Sequence, residues 1–483
     1  MKPILLIAFL SMAVLPAMSQ TGGFSPYISV GGALTTNGHV PFWLRSDKYG
    51  SIPPAGTSGN VIVGFHKKYD SAGLRLFDWG SSFELRTNAG STVHAELIEG
   101  YLKARLWIFE ARAGRSKDFI GLVDSTLSSG SFAISGNALG VPKVELAIRD
   151  YYVLPVLGGI FAVKGNFSYG WIGTVPVRDS NVRQANALLS TESVYGRFGK
   201  ADWRLKLHLG INHEIMWGDE RRLNGRGYRL TPFQTYKYVV LGKTYAGSKV
   251  GNHLGSIDLG AEYETDGVRI MVYRQNFYDE GALYHLANIA DGLNGISITN
   301  KQDESAYHVR WRKFVAEFFY SKNQAGYPWS KRTASGDENY YNNYQYTQGW
   351  SYKGLGMGNP FITPYPSTRK GLVNDPTDYF NNNRVAAFYL GAELSIDDMV
   401  ATTRLSYSFN YGTFGTSQYG YSTGNSFTPP IYGLWQTRKQ FSAYLRLAKP
   451  LGNGLTAGFE GALDAGQLFD RSAGLTLSLS KTF

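Results

Sequence analysis

The most constraining feature of this sequence is a period-two alternation of apolar and polar residues, which recurs in segments of about ten residues. Between Trp203 and Ile211, for example, Leu205, Leu207 and Leu209 alternate with polar neighbours. Successive side chains of a β-strand point to opposite faces, so this strand has one apolar and one polar face. The same division recurs in residues 257–263, 440–447 and 455–464. Alternation alone fits either a soluble sheet or a membrane barrel.

The lengths of the connections between strands distinguish these two folds. Tight turns are predicted at residues 264–267, 312–313 and 396–398, and long connections at residues 217–252, 279–304, 323–384 and 410–437. Short and long connections therefore alternate along the chain. This is the pattern of an outer-membrane β-barrel, which has tight periplasmic turns, long extracellular loops, an apolar outer face and a polar lumen.

The alternation identifies about 17 strands beginning near Asn60. Bacterial barrels have an even number of strands, and residues 24–32 are the best candidate for the missing one. The sequence thus predicts an all-β fold, a transmembrane antiparallel β-barrel of about 18 strands with long extracellular loops. A 16-stranded barrel is the alternative. The barrel is assigned to residues 60–483, and the Gly- and Pro-rich residues 20–59 are either periplasmic or the first strand.

The two ends of the chain carry targeting features. Lys2 precedes an apolar run that is too short to cross a bilayer as a helix, and Ala17-Met18-Ser19 follows it. Residues 1–19 are therefore predicted to be a signal peptide. The last strand alternates apolar residues and stops on Phe483, which is similar to the terminal strands that barrel-insertion machinery recognises. We expect that machinery as a partner and the outer membrane of a Gram-negative bacterium as the location.

Residues 323–384 are the richest candidate binding segment. Their aromatic rings are interleaved with amides such as Asn339, Asn342 and Asn343. Rings stack on the apolar faces of sugars, amides bond hydroxyls, and cations pair with acidic groups. Glycan contact is one interpretation, and packing of the long loop on itself is the other. The candidate polysaccharide-binding residues here are Trp329, Lys331, Arg332, Tyr340, Tyr341, Tyr344, Trp350 and Tyr352.

A second candidate cluster comprises Arg221, Arg222, Arg226 and Tyr228. With a formal net charge of +11, these arginines are able to attract an acidic polysaccharide. Lipopolysaccharide phosphates, outer-membrane lipid and solvent are the alternative partners. The expected compartment excludes nucleic acid.

Two further features exclude or limit other functions. The predicted inner face carries both signs of charge, including Lys206, Glu262, Arg404 and Glu460, which either pair across strands or line a channel. The chain has no Cys, and its eight His residues form no HExxH pair. We therefore predict no enzyme, no cofactor and no metal site.

The stretch from His39 to Pro53, His-Val-Pro-Phe-Trp-Leu-Arg-Ser-Asp-Lys-Tyr-Gly-Ser-Ile-Pro, resembles the N-terminal signature of capsule-assembly proteins of the Wzi family in Bacteroidetes-like bacteria. The segment Ala111-Arg112-Ala113-Gly114-Arg115 is also similar. The resemblance implies an outer-membrane barrel of about 18 strands that binds surface polysaccharide, with no catalytic residue. Enterobacterial members place a helical bundle before the barrel, whereas residues 20–59 have no helical period.

The sequence therefore predicts an outer-membrane protein that binds capsular or exopolysaccharide, an acidic one included, and assists capsule assembly or attachment. A diffusion porin or glycan-uptake channel is the alternative function.

Overall fold

The computed structural model of the protein describes residues 23–54, 56–70, 76–178, 182–279, 281–302, 308–326, 337–423 and 426–483. In these ranges, 18 strands form one sheet in which each strand is antiparallel to its neighbours in chain order. The last strand pairs with the first and closes the barrel. The predicted 18-stranded barrel is confirmed, and the alternative of 16 strands is wrong.

The strands are β1 Phe24–Thr35, β2 Ser58–Lys67, β3 Phe77–Ala89, β4 Val93–Leu106, β5 Phe109–Arg115, β6 Lys143–Val153, β7 Phe161–Pro176, β8 Gln184–Phe198, β9 Leu205–Trp217, β10 Asn252–Glu264, β11 Val268–Tyr278, β12 Gly292–Asn300, β13 Val309–Tyr320, β14 Val385–Ile396, β15 Met399–Asn410, β16 Arg438–Gly452, β17 Leu455–Gly466 and β18 Ser472–Thr482.

The helices are short and lie in the connections. They are α1 Phe42–Arg45, α2 Glu220–Leu223 and α3 Pro232–Val240. None of the helices in the described ranges has the length and apolar character needed to cross a bilayer. Thr231 caps α3 by accepting from the backbone N–H of Gln234, whose side chain in turn accepts from the backbone N–H of Thr231.

The alternation on β9 shows how the barrel wall is built. Leu207 and Leu209 point outwards and are 46% and 58% exposed, whereas Lys206 and His208 point inwards and are 5% and 8% exposed. Large apolar side chains are thus exposed while ionisable ones are enclosed, the reverse of a soluble protein. A membrane supplies the apolar surroundings that the outer face needs, and closure pairs every wall strand with two neighbours.

The connections are distributed unequally between the two rims. The longest ones, residues 36–57, 116–142, 218–251, 279–291, 321–384 and 411–437, all leave the rim opposite the chain ends. In outer-membrane barrels that rim is extracellular, as the alternating lengths predicted.

One predicted turn is wrong. Arg312 and Lys313 do not form a tight turn but lie within β13, where the register with β14 shifts between Trp311 and Lys313. A bulge of this kind inserts an extra residue and leaves the strand continuous. The predicted connection at 279–304 was correspondingly too long, because it contains β12.

Three long connections fold into the barrel and form what we call the plug: the described parts of residues 36–57, 116–142 and 321–384. Their apolar side chains share one buried cluster with the inner wall. The Phe132 ring stacks on Phe277 of β11 with centroids 4.0 Å apart, and Trp350 Nε1 donates to Ala133 O at 2.8 Å. The plug residues of this cluster include Phe42, Trp43, Leu44, Leu127, Phe132, Ala133, Tyr340, Tyr341, Trp350, Phe361 and Phe380.

Buried carboxylates on the wall hold the plug by its backbone. Each of three strands presents a carboxylate that accepts an N–H from a plug residue, and such charge-assisted bonds are about twice as strong as neutral ones. The contacts are Phe42 N to Asp464 Oδ2 at 2.8 Å, Leu122 N to Asp258 Oδ2 at 2.7 Å, and Ser129 N to Glu317 Oε2 at 2.7 Å.

Ion pairs add to this attachment in both directions. They join plug carboxylates to wall cations, and a plug lysine to a wall carboxylate. The pairs are Asp47 with Arg404 at 3.0 Å, Asp124 with Lys313 at 2.8 Å, and Lys48 with Glu460 at 3.2 Å. Many luminal charges therefore serve packing rather than lining an open channel.

We expect Trp350→Ala to lower the free energy of unfolding by about 3–5 kcal/mol, because it leaves a cavity in the plug and removes the bond to Ala133. Equilibrium unfolding in urea, followed by far-ultraviolet circular dichroism in lipid vesicles, measures this change. Tyr344→Ala is the matched control, because Tyr344 lies in the same connection but is exposed. It should cost about 0.5 kcal/mol or less. Equal effects of the two substitutions would contradict the proposed plug.

Candidate functional site

A cleft of about 630 Å³ opens at the extracellular rim, and residues of the plug connection 321–384 form part of its lining. Five connections supply its walls, so no single loop forms it. This volume lies within the range of about 300–1,000 Å³ that is typical of small-molecule sites. The lining residues are Arg178, Thr244, Gly247, Ser248, Lys249, Gly251, Asn252, His253, Asp279, Gly281, Asp337, Asn339, Asn342, Asn343, Tyr344, Thr377, Asp378 and Tyr421.

A hydrogen-bonded frame fixes the floor of the cleft. Asn339 Nδ2 donates to Asp378 Oδ1 and to the Tyr421 hydroxyl, both at 2.9 Å, and that hydroxyl donates to Asp378 Oδ2 at 2.7 Å. Asn342 bonds the backbone of Phe380 through both its amide atoms. The side chains of Asn339, Asn342 and Asp378 are thereby engaged in structure.

Other polar groups in the cleft remain available to a ligand. Asn343 Oδ1 accepts from the backbone N–H groups of Gln345 and Tyr346, but its Nδ2 has no acceptor among the described residues. Tyr344 follows it directly and is 70% exposed. Arg178 is exposed too and donates to Thr377 O at 3.2 Å. An aromatic surface, an amide donor and a guanidinium therefore line the same opening.

The charges of the described lining do not make the cleft basic. Asp279, Asp337 and Asp378 oppose two cations, Arg178 and Lys249. The described residues also contain no group of three or more His, Cys, Asp or Glu side chains placed to hold a metal. The chemistry of the cleft is that of hydrogen bonding and stacking, which suits hydroxyl-rich ligands.

The predicted aromatic residues divide between plug and cleft. Tyr340, Tyr341, Trp350 and Tyr352 are buried, and Tyr341 OH donates to Phe132 O inside the plug. Of the predicted aromatic residues in the described part of this connection, Tyr344 alone lines the cleft. Loop packing thus applies to the four buried residues, and glycan contact stays a prediction for Tyr344. Trp329, Lys331 and Arg332 lie outside the described residues.

The predicted arginine cluster lies elsewhere. Its connection carries α3, which packs with Ile215 and Trp217 on the outward face of β9. Tyr228 is buried in that contact, and its hydroxyl is 2.9 Å from Thr235 Oγ1. Arg221 and Arg222 are exposed there, and Arg222 pairs with Asp219 at 2.8 Å. The Arg226 side chain is not among those described.

Several cleft residues were missed by the sequence analysis. Arg178, Lys249, Asp279 and Tyr421 come from four different connections, and Asn252 is the first residue of β10. Lys249, Asn252, Asp279 and Tyr421 lie in predicted long connections, which was the available signal, whereas Arg178 lies in none of them. Which connections converge above the plug depends on the order of strands around the barrel.

Comparisons with known proteins agree with the fold. No protein-family model and no curated protein matches the sequence. Among solved structures, the chain is similar to Wzi of Escherichia coli, described as an outer-membrane protein involved in group 1 capsule assembly and a carbohydrate-binding β-barrel. The two are 13% identical, the TM-score is 0.55, and the match covers 94% of this chain and 84% of that one.

Two further solved structures match with lower TM-scores. OccD3 of Pseudomonas aeruginosa is 9% identical with a TM-score of 0.44 over 96% of this chain and 91% of that one. OccAB2 of Acinetobacter baumannii is 11% identical with a TM-score of 0.44 over 95% and 98%. The likeness to Wzi, together with the closed wall and its apolar exterior, identifies an outer-membrane β-barrel of a Gram-negative bacterium.

Burial raises the pKa of Asp378 to about 6, and the bonds from Tyr421 and Asn339 only partly oppose this rise. A carboxyl whose pKa is raised by folding stabilises the native state fully below its unfolded pKa, about 3.9, and this stabilisation is lost as pH rises through 6. We therefore expect the melting temperature of the detergent-solubilised protein to fall between about pH 4 and pH 7. Asp378→Asn should reduce that fall, because the amide does not titrate. The difference between the two pKa values limits the contribution of this group to the free energy of unfolding to about 3 kcal/mol.

Asp470→Asn serves as the control, because Asp470 lies at the same rim but is 36% exposed. It should keep the wild-type pH profile. If Asp378→Asn also keeps it, the buried carboxyl does not titrate as described.

Proposed function

We propose that this protein is a non-enzymatic outer-membrane protein that binds a surface polysaccharide in its extracellular cleft and thereby holds or organises capsular or exopolysaccharide at the cell surface. The observation that carries the proposal is the cleft itself, in which an exposed tyrosine, an available amide and a guanidinium face outwards from a rigid plug. Rigid placement matters because a preformed site loses less conformational entropy on binding.

The chemistry of the cleft supports a sugar as the ligand. The Tyr344 ring offers a flat apolar face for a pyranose, and Asn343 Nδ2 offers a donor to a hydroxyl. Three carboxylates and two cations favour a neutral or weakly charged glycan in the described part of the cleft. An acidic polysaccharide would depend instead on cations outside it, such as Arg221.

Two resemblances also support a surface polysaccharide as the ligand. The segment His39–Pro53 is similar to the signature of Wzi-family capsule-assembly proteins, and the fold is similar to that of Wzi, which is described as carbohydrate-binding. In this chain the segment belongs to the plug: Trp43 Nε1 donates to Ser406 Oγ at 2.9 Å. We infer that its role is to support the cleft from below rather than to touch the glycan.

The lateral arginines support a second, lipid-facing contact. Arg221 and Arg222 are exposed beside α3, which lies on the outer wall rather than above the lumen. Lipopolysaccharide phosphates are the partners that this position favours. We keep barrel-insertion machinery as a further proposed partner, because β18, the strand that closes the barrel against β1, carries alternating apolar residues.

A glycan array probed with the detergent-purified protein should identify a bound polysaccharide, and Tyr344→Ala should weaken that binding about tenfold or more because the stacking surface is lost. Cells that carry this variant should shed more polysaccharide into the medium than wild-type cells do. Tyr365→Ala is the matched control, since Tyr365 is a partly exposed tyrosine of the same connection outside the cleft lining. Absence of glycan binding by the wild type, or equal loss in both variants, would overturn the proposed site.

The alternative of a porin or uptake channel makes a different prediction for conductance. The plug fills much of the lumen with packed side chains such as Phe132 and Trp350. We therefore expect no large, stable current from the wild-type protein in planar lipid bilayers. A large current with solute selectivity would favour transport and count against the tethering function.

A further inference from the structure

A second cavity lies inside the barrel, beneath residues 117–121 of the plug. Its volume is about 290 Å³, and the inner wall of β5 to β8 forms its other sides. Its charged lining is mainly cationic, with five cations and two carboxylates: Arg112, Lys117, Lys143, Arg149, Lys164, Asp118 and Glu145. Electrostatic interactions in such an enclosed space are screened less than at the surface.

Most of these cations have carboxylate partners. Lys143 Nζ is 3.0 Å from Asp118 and 2.8 Å from Glu145, and Arg112 is 2.9 Å from Glu110. Lys164 differs, because no carboxylate of the described residues lies within 4.0 Å of its Nζ. Asp150 acts on it electrostatically without forming an ion pair. The excess positive charge of the cavity is therefore concentrated at Lys164.

Arg197 is a second cation without a carboxylate partner in the described residues, and it contacts the same ring as Lys164 although it is not part of the cavity lining. Lys164 Nζ and Arg197 Cζ are 4.9 Å and 5.1 Å from the centroid of the same ring, that of Tyr151. The Tyr151 hydroxyl is 2.9 Å from His208 Nδ1, which fixes the ring. Arg197 Nε is buried and has no hydrogen-bond acceptor. A buried donor left unpaired costs about 1–3 kcal/mol, so an arriving acceptor would be favoured.

The cavity is reached from the rim that carries the chain ends. Lys164 is close to the start of β7 and Arg197 close to the end of β8, and both strand ends lie at that rim. Arg149 keeps 37% of its side chain exposed, and Lys117 keeps 29%. The plug separates this space from the extracellular cleft. A ligand from the periplasmic side is therefore able to approach the cations without passing the plug.

We propose that this cavity binds a single anionic group, a carboxylate or a phosphate on a sugar-sized molecule, that Lys164 contacts that group, and that Arg197, which lies outside the lining at the same tyrosine ring, adds positive charge. The volume lies at the lower end of the range for small-molecule sites, which limits the ligand to about one sugar unit. The Lys164 ammonium provides a point charge and hydrogen-bond donors to an oxyanion. This site is distinct from the extracellular cleft and does not depend on the function proposed for it.

Isothermal titration calorimetry of the detergent-purified protein tests the inference with three probes: inorganic phosphate, glucuronate and glucose. Phosphate or glucuronate should bind, and glucose should not. The relative affinities for phosphate and glucuronate show which anionic group the site prefers. Lys164→Gln should weaken binding of the anion about tenfold or more, because it removes a charge-assisted contact, and Arg197→Gln should weaken binding less, because it removes only a nearby charge. Lys164→Arg, which keeps the charge, should retain most of the affinity.

Arg222→Gln and Tyr344→Ala are the controls, since the first removes one charge outside the barrel and the second alters the extracellular cleft. Both should bind the anion as the wild type does, so failure of this inference is distinguishable from failure of the glycan proposal. No anion binding by the wild type, or undiminished binding by the Lys164→Gln/Arg197→Gln double variant, would refute the site.

A measurement on the wild-type protein avoids any folding defect of the variants. Phosphate should slow acetylation of Lys164 by acetic anhydride, read by mass spectrometry, because the bound anion covers its Nζ. Lys301, which pairs with Glu264 near the same rim, is the internal reference and should react at an unchanged rate. Equal rates at Lys164 with and without phosphate would contradict the proposal.

Discussion

The interior of this barrel depends on hydrogen bonds between backbone N–H groups of inward-folded connections and carboxylates of the wall. A connection that leaves water must satisfy its backbone polar groups elsewhere, which is why most loops stay at the surface. Asp258, Glu317 and Asp464 each accept a hydrogen bond from a backbone N–H at a different point in the plug. In turn, the backbone N–H groups of the plug are held in fixed positions by packing, and they stabilise the wall carboxylates inside the closed lumen.

This attachment divides the molecule into three levels. At the centre, packed aromatic residues such as Phe132 and Trp350 make the plug a solid layer. Above it, the rigid layer supports a cleft whose walls come from five connections, with Tyr344 exposed at the opening. Below it, an enclosed space retains cations that the plug does not neutralise. The outer wall is apolar where strands such as β9 face the bilayer, because the bilayer is its solvent there.

Particular residues show which features could be predicted from the sequence and which could not. The alternation on β9 predicted correctly which side chains face lipid and which face the lumen, because the period of a strand is a local property. Tyr340 and Tyr344 have the same local composition around them, yet one is buried and the other is exposed. The Arg312-Lys313 pair has the composition of a turn, but pairing with β14 on the neighbouring side keeps it within a strand as a bulge.

The sequence by itself determined that this chain forms a closed antiparallel barrel with long loops at one rim, since strand periodicity and connection length are read directly along the chain. It determined the chemical character of the candidate binding segment but not its use. Only the tertiary structure decided which loops enter the lumen, which aromatic rings remain outside, and that Lys164 and Arg197 meet at one tyrosine. These outcomes depend on contacts between residues far apart in the chain, and periodicity carries no information about such contacts.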